Sequence, residues 1–356
     1  MKKLNPAKIQ KIAIFAPNKP FFGAILVQFP FFLLLREIFP NAKIKIWSPT
    51  GTSNLILKNN LADEIELYHK SKSYTRTLRN LRSFSPDLLI NLRHQSEVTH
   101  LLSAASGAKF RIGIISNKWQ KSVYQHSIFN DTSCYRALLY LRVLEEFLEK
   151  QTLYTAPEEK FEGFKNLDTN LALSTTDKIE KTERNTLFPS SRIQLNEAEN
   201  QICLLIGGGE GEHKRWGIQN FLALAKLILE EKPSTNFVFL VGSAEDEDLP
   251  FIEKELSSTQ FQVFKNAEIP ELISILKQCQ VTVANDCGPS HAAQMLEGNY
   301  ISVWGWENQH PYQRIGEWFL SRENSSTIVA HYQKSIKTIS PKRVFSYVKS
   351  SWTDSL

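Results

Sequence analysis

The sequence predicts an α/β protein of two domains, each built on a parallel β-sheet with helices on its faces, and three observations carry that expectation. Short apolar runs alternate with helix-length amphipathic stretches, as in chains whose parallel strands are joined by crossover helices. The alternation begins near residue 11, breaks down over residues 166–201 and restarts at residue 202. The length of 356 residues suits two domains of ~100–200 residues, each able to bury a core. Two domains also imply a cleft between them.

Residues 11–17 (KIAIFAP) read as a strand ended by Pro, residues 23–39 as one buried helix, and residues 43–47 (KIKIW) as an alternating strand. The apolar stretch at residues 21–35, behind Lys2, Lys3, Lys8, Lys11 and Lys19, imitates a targeting or membrane segment. Its 15 residues fall short of the ~20 that span a bilayer, Gln28 and Pro30 interrupt it, and no small-residue cleavage site precedes Arg36, so a buried strand-to-helix unit is expected. Residues 86–92 (PDLLINL) and 110–115 (FRIGII) are strands on either side of a helix at 97–105, with Gly107 as punctuation. Residues 166–201 are rich in Thr, Ser, Asn and charge without clear periodicity, which places a linker and the entry to the second domain there.

The second half has strands at 202–206 (ICLLI), 237–241 (FVFLV), 280–284 (QVTVA) and 300–303. Helices are expected at 220–231 and 270–279, with a further helix beginning near residue 291. Pro341, at a first helical position, opens a closing helix with Val344, Phe345 and Val348 on one face. The domains are therefore residues 1–165 and 202–340, followed by a C-terminal helix over 341–356.

The formal net charge of +5 accommodates anionic partners but is far below that of a protein that coats nucleic acid, so no nucleic-acid partner is expected. Cys134, Cys203, Cys279 and Cys287 form no C-x-x-C pair, which argues against a zinc cage or redox dithiol and fits a reduced cytoplasm.

Two glycine-containing loops, each directly after an apolar strand, hold the residues that binding chemistry needs. Residues 285–291 (NDCGPSH) lie at the carboxyl edge of a parallel sheet, where ligands bind. Gly288 lets backbone approach an anion, the helix start supplies free N–H groups, and Ser290 and His291 add donors. The combination specifies a phosphate or diphosphate cradle; helix capping by Asp286 and Ser290 with His291 packed locally is the other reading. Residues 207–216 (GGGEGEHKRW) match neither the P-loop nor the G-x-G-x-x-G spacing. Lys214 and Arg215 nonetheless set fixed positive charge beside a pliable loop, as a departing diphosphate requires, while a solvated loop is the alternative.

Asp246 to Asp248 fit the first turn of a helix, where acids oppose the dipole, better than they fit a metal site. Glu245, nearest the strand end, is the candidate to accept hydrogen bonds from a ribose. No His, Asp and Glu set elsewhere has metal-ligand spacing, so no metal or other cofactor is expected. In the first half, Lys70, Lys72, Arg76, Arg79 and Arg82 recur at near-helical spacing, and Arg93 and His94 follow. A solvated face and a site for an anionic acceptor both fit them. His126, His310 and His331 stand alone, and His310 beside Pro311 reads as a loop residue.

These residues resemble glycosyltransferase family 9, the ADP-heptose:lipopolysaccharide heptosyltransferases of the two-domain GT-B class, over nearly all of the chain. Gly207 to Ala225 is similar to the family's P-G-A…K-R-W-P-x-x-x-F-x-x-L-A pattern, with Lys214, Arg215, Trp216 and Phe221 in register. Asn285 to His291 resembles its N-D-[ST]-G-x-x-H signature. Gly23 to Pro40 looks like the family's G-D-V-x-x-x-x-P opening, and Asp87 to Gly113 like its D-L-x-I-x-L…R-I-G run. The resemblance implies a GT-B fold of two Rossmann-like domains facing a central cleft, acceptor side first and donor side second. It also implies inverting transfer of heptose, without a required metal, from ADP-heptose to a Kdo or heptose hydroxyl of the lipopolysaccharide core.

Carried over in this way, Lys214 contacts phosphate, Glu245 the ribose region, and Asp286, Gly288 and His291 the sugar diphosphate. Gly207, Gly208, Arg215, Cys287 and Ser290 complete the donor set, and Arg76, Arg79, Arg93 and His94 are the acceptor-side candidates. The acceptor implied is an anionic glycolipid reached by peripheral contact with the cytoplasmic face of the inner membrane. Ala24 stands where the family has its proton-accepting Asp, Cys287 where it has Ser or Thr, and Gly217 where it has the Pro after Trp. Alanine takes no proton, so His94 or Glu97 is an alternative base, and a relative that binds nucleotide-sugar without turnover is the rival function.

Overall fold

Residues 11–15 (KIAIF) carry four buried side chains in succession, a pattern open to a strand only when both faces of its sheet are covered. In the computed structural model, which describes residues 8–17, 19–68, 74–151, 193–209, 211–296, 298–307 and 310–353, they form β1 (Lys11–Phe15). Of the expected linker, residues 166–192 lie outside the described residues, as do Lys70, Lys72 and Glu210. Contacts divide the chain into two units, Met1–Thr182 and Glu183–Leu356.

In the first unit β1 is followed by α1 (Phe22–Leu26), α2 (Phe29–Ile38), β2 (Lys43–Ser48), α3 (Asn54–Lys58) and β3 (Glu64–Leu67). Then come α4 (Tyr74–Phe84), β4 (Leu88–Asn91), α5 (Glu97–Ala105), β5 (Phe110–Ile115), β6 (His126–Phe129) and α6 (Arg136–Gln151). The strands are all parallel, in the order β3-β2-β1-β4-β5-β6, with Ile12 beside Ile44 on one side and Leu88 on the other. This is the doubly wound order, in which the strand order reverses between β1 and β4.

One expectation is corrected here. The single helix expected over residues 23–39 is two helices, because Pro30 has no N–H for the Leu26 carbonyl and its ring crowds that group. Gln28 at the break donates its side-chain amide to the Ala24 carbonyl at 2.6 Å. Both helices are largely buried, with Phe29, Phe31, Phe32 and Leu35 at 2% exposure or less, which accounts for the apolar stretch as core. No helix among the described residues is long and apolar enough to cross a membrane.

The second unit repeats the plan with β7 (Asn200–Leu205), α7 (Ile218–Glu231), β8 (Thr235–Val241), α8 (Leu249–Glu255), β9 (Phe261–Lys265) and α9 (Ile269–Lys277). It continues through β10 (Val281–Ala284), α10 (Gly288–Gln294), β11 (Asn299–Trp304), α11 (Pro311–Trp318), β12 (Ser325–Val329) and α12 (Pro341–Thr353). The parallel order is β12-β11-β10-β7-β8-β9, so the reversal falls between β7 and β10. The core joins Ile202, Leu204, Phe237 and Val283 of the sheet to Phe221 and Leu224 of α7 and to fully buried Val344 and Val348 of α12.

Candidate functional site

The loops after β7 and β10 meet at the carboxyl edge of the second sheet, where its order reverses, the place at which open α/β sheets bind ligands. Asn285 ties the two together. Its side-chain amide donates to the carbonyls of Ile206 (2.7 Å) and Gly207 (3.1 Å), and its oxygen accepts the Trp216 N–H at 3.1 Å. Trp216 is fully buried and donates its indole N–H to the Ile339 carbonyl at 2.8 Å, so the Lys-Arg-Trp sequence has an internal anchor that fixes the two cations before it.

Lys214, in a 3-10 turn (Glu212–Lys214), places its Nζ 2.8 Å from Asp286 Oδ2. The Arg314 guanidinium of α11 pairs with the same oxygen. Both Lys214 and Asp286 are buried. Burial by itself would raise the Asp286 carboxyl, but Lys214, Arg314 and His291 outweigh it and hold it below the usual carboxylate range. Two cations meet one carboxylate at the mouth of a recess of about 320 Å³ open to solvent, whose walls also include Gly305, Glu307 and Pro311. Arg314 was not among the residues expected from the sequence. It lies 28 positions from Asp286 in a helix with no motif, and only the fold brings the two together.

Glu245 is buried beneath the first loop. One oxygen accepts the Gly242 N–H at 2.8 Å, and the other meets Arg215 Nη2 at 2.8 Å. A Cβ on Gly207 would come within 3.2 Å of this carboxylate, so glycine is what lets the loop close over it. Arg215 also donates to the Ala244 carbonyl and faces Glu212, and thus lies along the Glu245 side of the site rather than on Asp286. A Cβ on Gly208 would press against Arg215 at 2.5 Å. Asp246 is paired with Lys265 at 2.7 Å, and among the described residues no three His, Cys, Asp or Glu side chains are grouped to hold a metal ion.

The remaining residues of the second loop face inward. Ser290 Oγ donates to the Cys287 carbonyl at 2.7 Å and accepts the Cys287 N–H at 3.4 Å, closing the first turn of α10 behind Gly288. Burial pushes the Cys287 thiol up to about 12, so it stays protonated. His291 is buried with its ring centroid 5.5 Å from that of Trp318 and its Nδ1 3.5 Å from Gln294 Nε2. Ser290 and His291 do not line the recess that Lys214, Asp286 and Arg314 border. His310 sits at the start of α11 beside Trp306, ring centroids 5.1 Å apart.

In the first unit, Ala24 is buried in α1, in the connection that follows β1. Arg93 and His94 lie in the loop after β4, the neighbouring strand. Arg93 is half-buried, donating to Tyr68 Oη and lying 5.8 Å from that ring, while its N–H donates to Asn91 Oδ1 at 3.0 Å. Arg76 and Arg79 are exposed on α4 and share no recorded contact with Arg93 or His94.

The family model of glycosyltransferase family 9 (heptosyltransferase) matches residues 74–343, about three quarters of the chain. Over 119 residues the chain is 26% identical to lipopolysaccharide heptosyltransferase 1 of Campylobacter coli, covering 33% of this chain; it spans only about a third (34%) of that curated relative's length. Among solved structures, E. coli ADP-heptose LPS heptosyltransferase II is similar at a TM-score of 0.62 and 15% identity, covering 97% of this chain and 99% of that one. E. coli heptosyltransferase WaaC with ADP-2-deoxy-2-fluoro heptose is similar at a TM-score of 0.64 and 12% identity, covering 96% and 99%. At these identities the structures speak for the fold, the GT-B arrangement of two Rossmann-like domains. With the site's motifs in place and the family model matched over most of its length, the chain belongs to glycosyltransferase family 9, the heptosyltransferases.

Proposed function

We propose that the protein is an inverting glycosyltransferase that moves a heptose-like sugar from a nucleoside-diphosphate donor, ADP-heptose in first place, to a hydroxyl of a lipopolysaccharide core acceptor. The observation that carries the reading is the convergence of Lys214 and Arg314 on buried Asp286, which sets two oriented cations at the recess where a leaving diphosphate would develop negative charge. A preorganised donor of this kind is worth ~3–4 kcal/mol of transition-state stabilisation. Glu245, oriented by Gly242 and Arg215, is the ribose contact, with Gly207, Gly208, Cys287 and Gly288 shaping the backbone around the donor. Arg93 of the first unit, with Arg76 and Arg79, meets the phosphates or carboxylates of an anionic glycolipid presented at the cytoplasmic face of the inner membrane.

Calorimetric titration of ADP-heptose into wild type and Lys214→Ala tests the donor half. The reading expects the variant to bind ~10–100-fold more weakly, the loss of a charge-assisted contact; equal affinity contradicts it. A second reading, donor binding without turnover, is favoured by Ala24, which has no group to take the acceptor proton. Tight binding of ADP-heptose by wild type with no product from any core acceptor would establish that second reading.

A further inference from the structure

Four aromatic rings gather just beyond β11 in the second unit, and the donor site as described uses none of them. The Trp306 ring centroid lies 5.1 Å from that of His310, 5.9 Å from Tyr312 and 4.8 Å from Tyr332, and the three rings are inclined to the indole by 69°, 81° and 76°. The indole is fixed. Its ring N–H donates to the Ala330 carbonyl at 2.9 Å and its backbone N–H to the Lys334 carbonyl at 3.2 Å. Tyr312 and Tyr332, in contrast, leave 59% and 69% of their surface to water. A single exposed ring is ordinary, but exposed rings grouped on a fixed indole make a preformed apolar surface of the kind that marks a binding site.

This cluster borders the recess at Asp286. Gly305, Glu307 and Pro311 are walls of the recess, and in the chain they alternate with Trp306, His310 and Tyr312. Ile336, a further wall, follows the turn that carries Tyr332, and a Cβ on Gly305 would come within 2.6 Å of the Ile336 nitrogen, so the two segments run in contact.

The sheet gives the donor site two flanks. In the order β12-β11-β10-β7-β8-β9, the two glycine-containing loops follow the central strands β7 and β10. Glu245 follows β8 on one flank and the rings follow β11 on the other. Those two strands are three spacings apart, ~14 Å. A nucleotide-sugar with its ribose at Glu245 and its diphosphate at Lys214 and Arg314 therefore directs its sugar toward β11.

Resting on the donor reading, we propose that Tyr312 and Tyr332, braced on Trp306, are the contact surface for the sugar ring of the donor. One face of a pyranose carries C–H bonds made slightly positive by the neighbouring oxygens, and the face of an aromatic ring carries the complementary negative potential. The exposed carboxylate of Glu307, in the wall between rings and recess, accepts hydrogen bonds from the sugar hydroxyls. A nucleobase also stacks on aromatic rings, but the base is joined to the ribose and so belongs to the Glu245 flank.

Calorimetric titration with ADP and with ADP-heptose tests the assignment on wild type, Tyr312→Ala/Tyr332→Ala and Tyr312→Phe/Tyr332→Phe. Loss of both rings weakens ADP-heptose ~3–10-fold, the worth of an aromatic contact. ADP, which has no sugar beyond its diphosphate, stays within about twofold of wild type and so reports that the variant is folded. The phenylalanine pair, which keeps the ring faces, binds ADP-heptose as wild type does. Unchanged ADP-heptose affinity in the alanine pair overturns the proposal and leaves the donor reading intact. Equal weakening of ADP and ADP-heptose overturns it by moving the rings to the nucleotide, and a phenylalanine pair as weak as the alanine pair overturns stacking in favour of the hydroxyls. Failure of wild type to bind ADP-heptose at all overturns the donor reading and the proposal with it.

Discussion

Asp286 accepts both Lys214 and Arg314 on one carboxylate oxygen, and that arrangement makes it costly to remove. Deleting one member of a buried ionic cluster leaves charge uncompensated and costs ~3–5 kcal/mol. Asp286→Ala, which leaves the two cations facing each other, should lower the stability to urea unfolding by about 3 kcal/mol; an unchanged midpoint would contradict the cluster. The pH dependence has a definite sign. The folded carboxyl is held low, so the cluster's stabilisation is present above the unfolded carboxylate pKa, about 4, and is lost as pH falls through the lower folded value. In Asp286→Ala that acid-side loss should shrink.

At the scale of elements, Gly217 marks a local departure from the family pattern before α7. It stands where the family pattern has Pro, and its φ of +98° before α7 is closed to proline, whose φ is held near −65°. Gly217→Pro should therefore destabilise the protein by at least ~1 kcal/mol, read as a lower midpoint in thermal unfolding; a raised midpoint would show that the loop can take the family's conformation.

The expected strands at residues 11–17, 43–47, 86–92, 110–115, 202–206, 237–241, 280–284 and 300–303 correspond to eight strands of the two sheets, because central strands covered on both faces need nearly continuous apolar runs. The four that sequence reasoning did not find are β3, β6, β9 and β12, the edges of the two sheets. Their residues are mostly half-buried, and runs such as EIEL and SSTIV leave no comparable apolar signal. The site divides in the same way. Glu245 and Asp286 sit just beyond apolar strands, and Lys214 stands out as a cation in the glycine-containing loop after one, whereas Arg314 and the His100–Tyr124 pair come together only through tertiary packing.

Across the whole molecule, the two sheets share one strand order, and each reversal carries a different set of groups. The second has cations converging on a carboxylate; the first has Arg93 beside Tyr68 and the His94 ring beside Ser116. A ligand that binds only the folded protein stabilises it by RT ln(1 + [L]/Kd), ~2.7 kcal/mol at 100 Kd. ADP-heptose should therefore raise the unfolding temperature of wild type, and much less that of Lys214→Ala. An equal shift in Lys214→Ala would contradict a donor site at Asp286.

Transfer from a nucleotide-sugar is read most plainly by mass spectrometry of Kdo-lipid A incubated with wild-type protein and ADP-heptose. A transferase forms a heptosylated product with one ADP released per sugar, its rate strongly reduced in Lys214→Ala. Tight ADP-heptose binding with no product, across Kdo- and heptose-terminated acceptors alike, would contradict transfer.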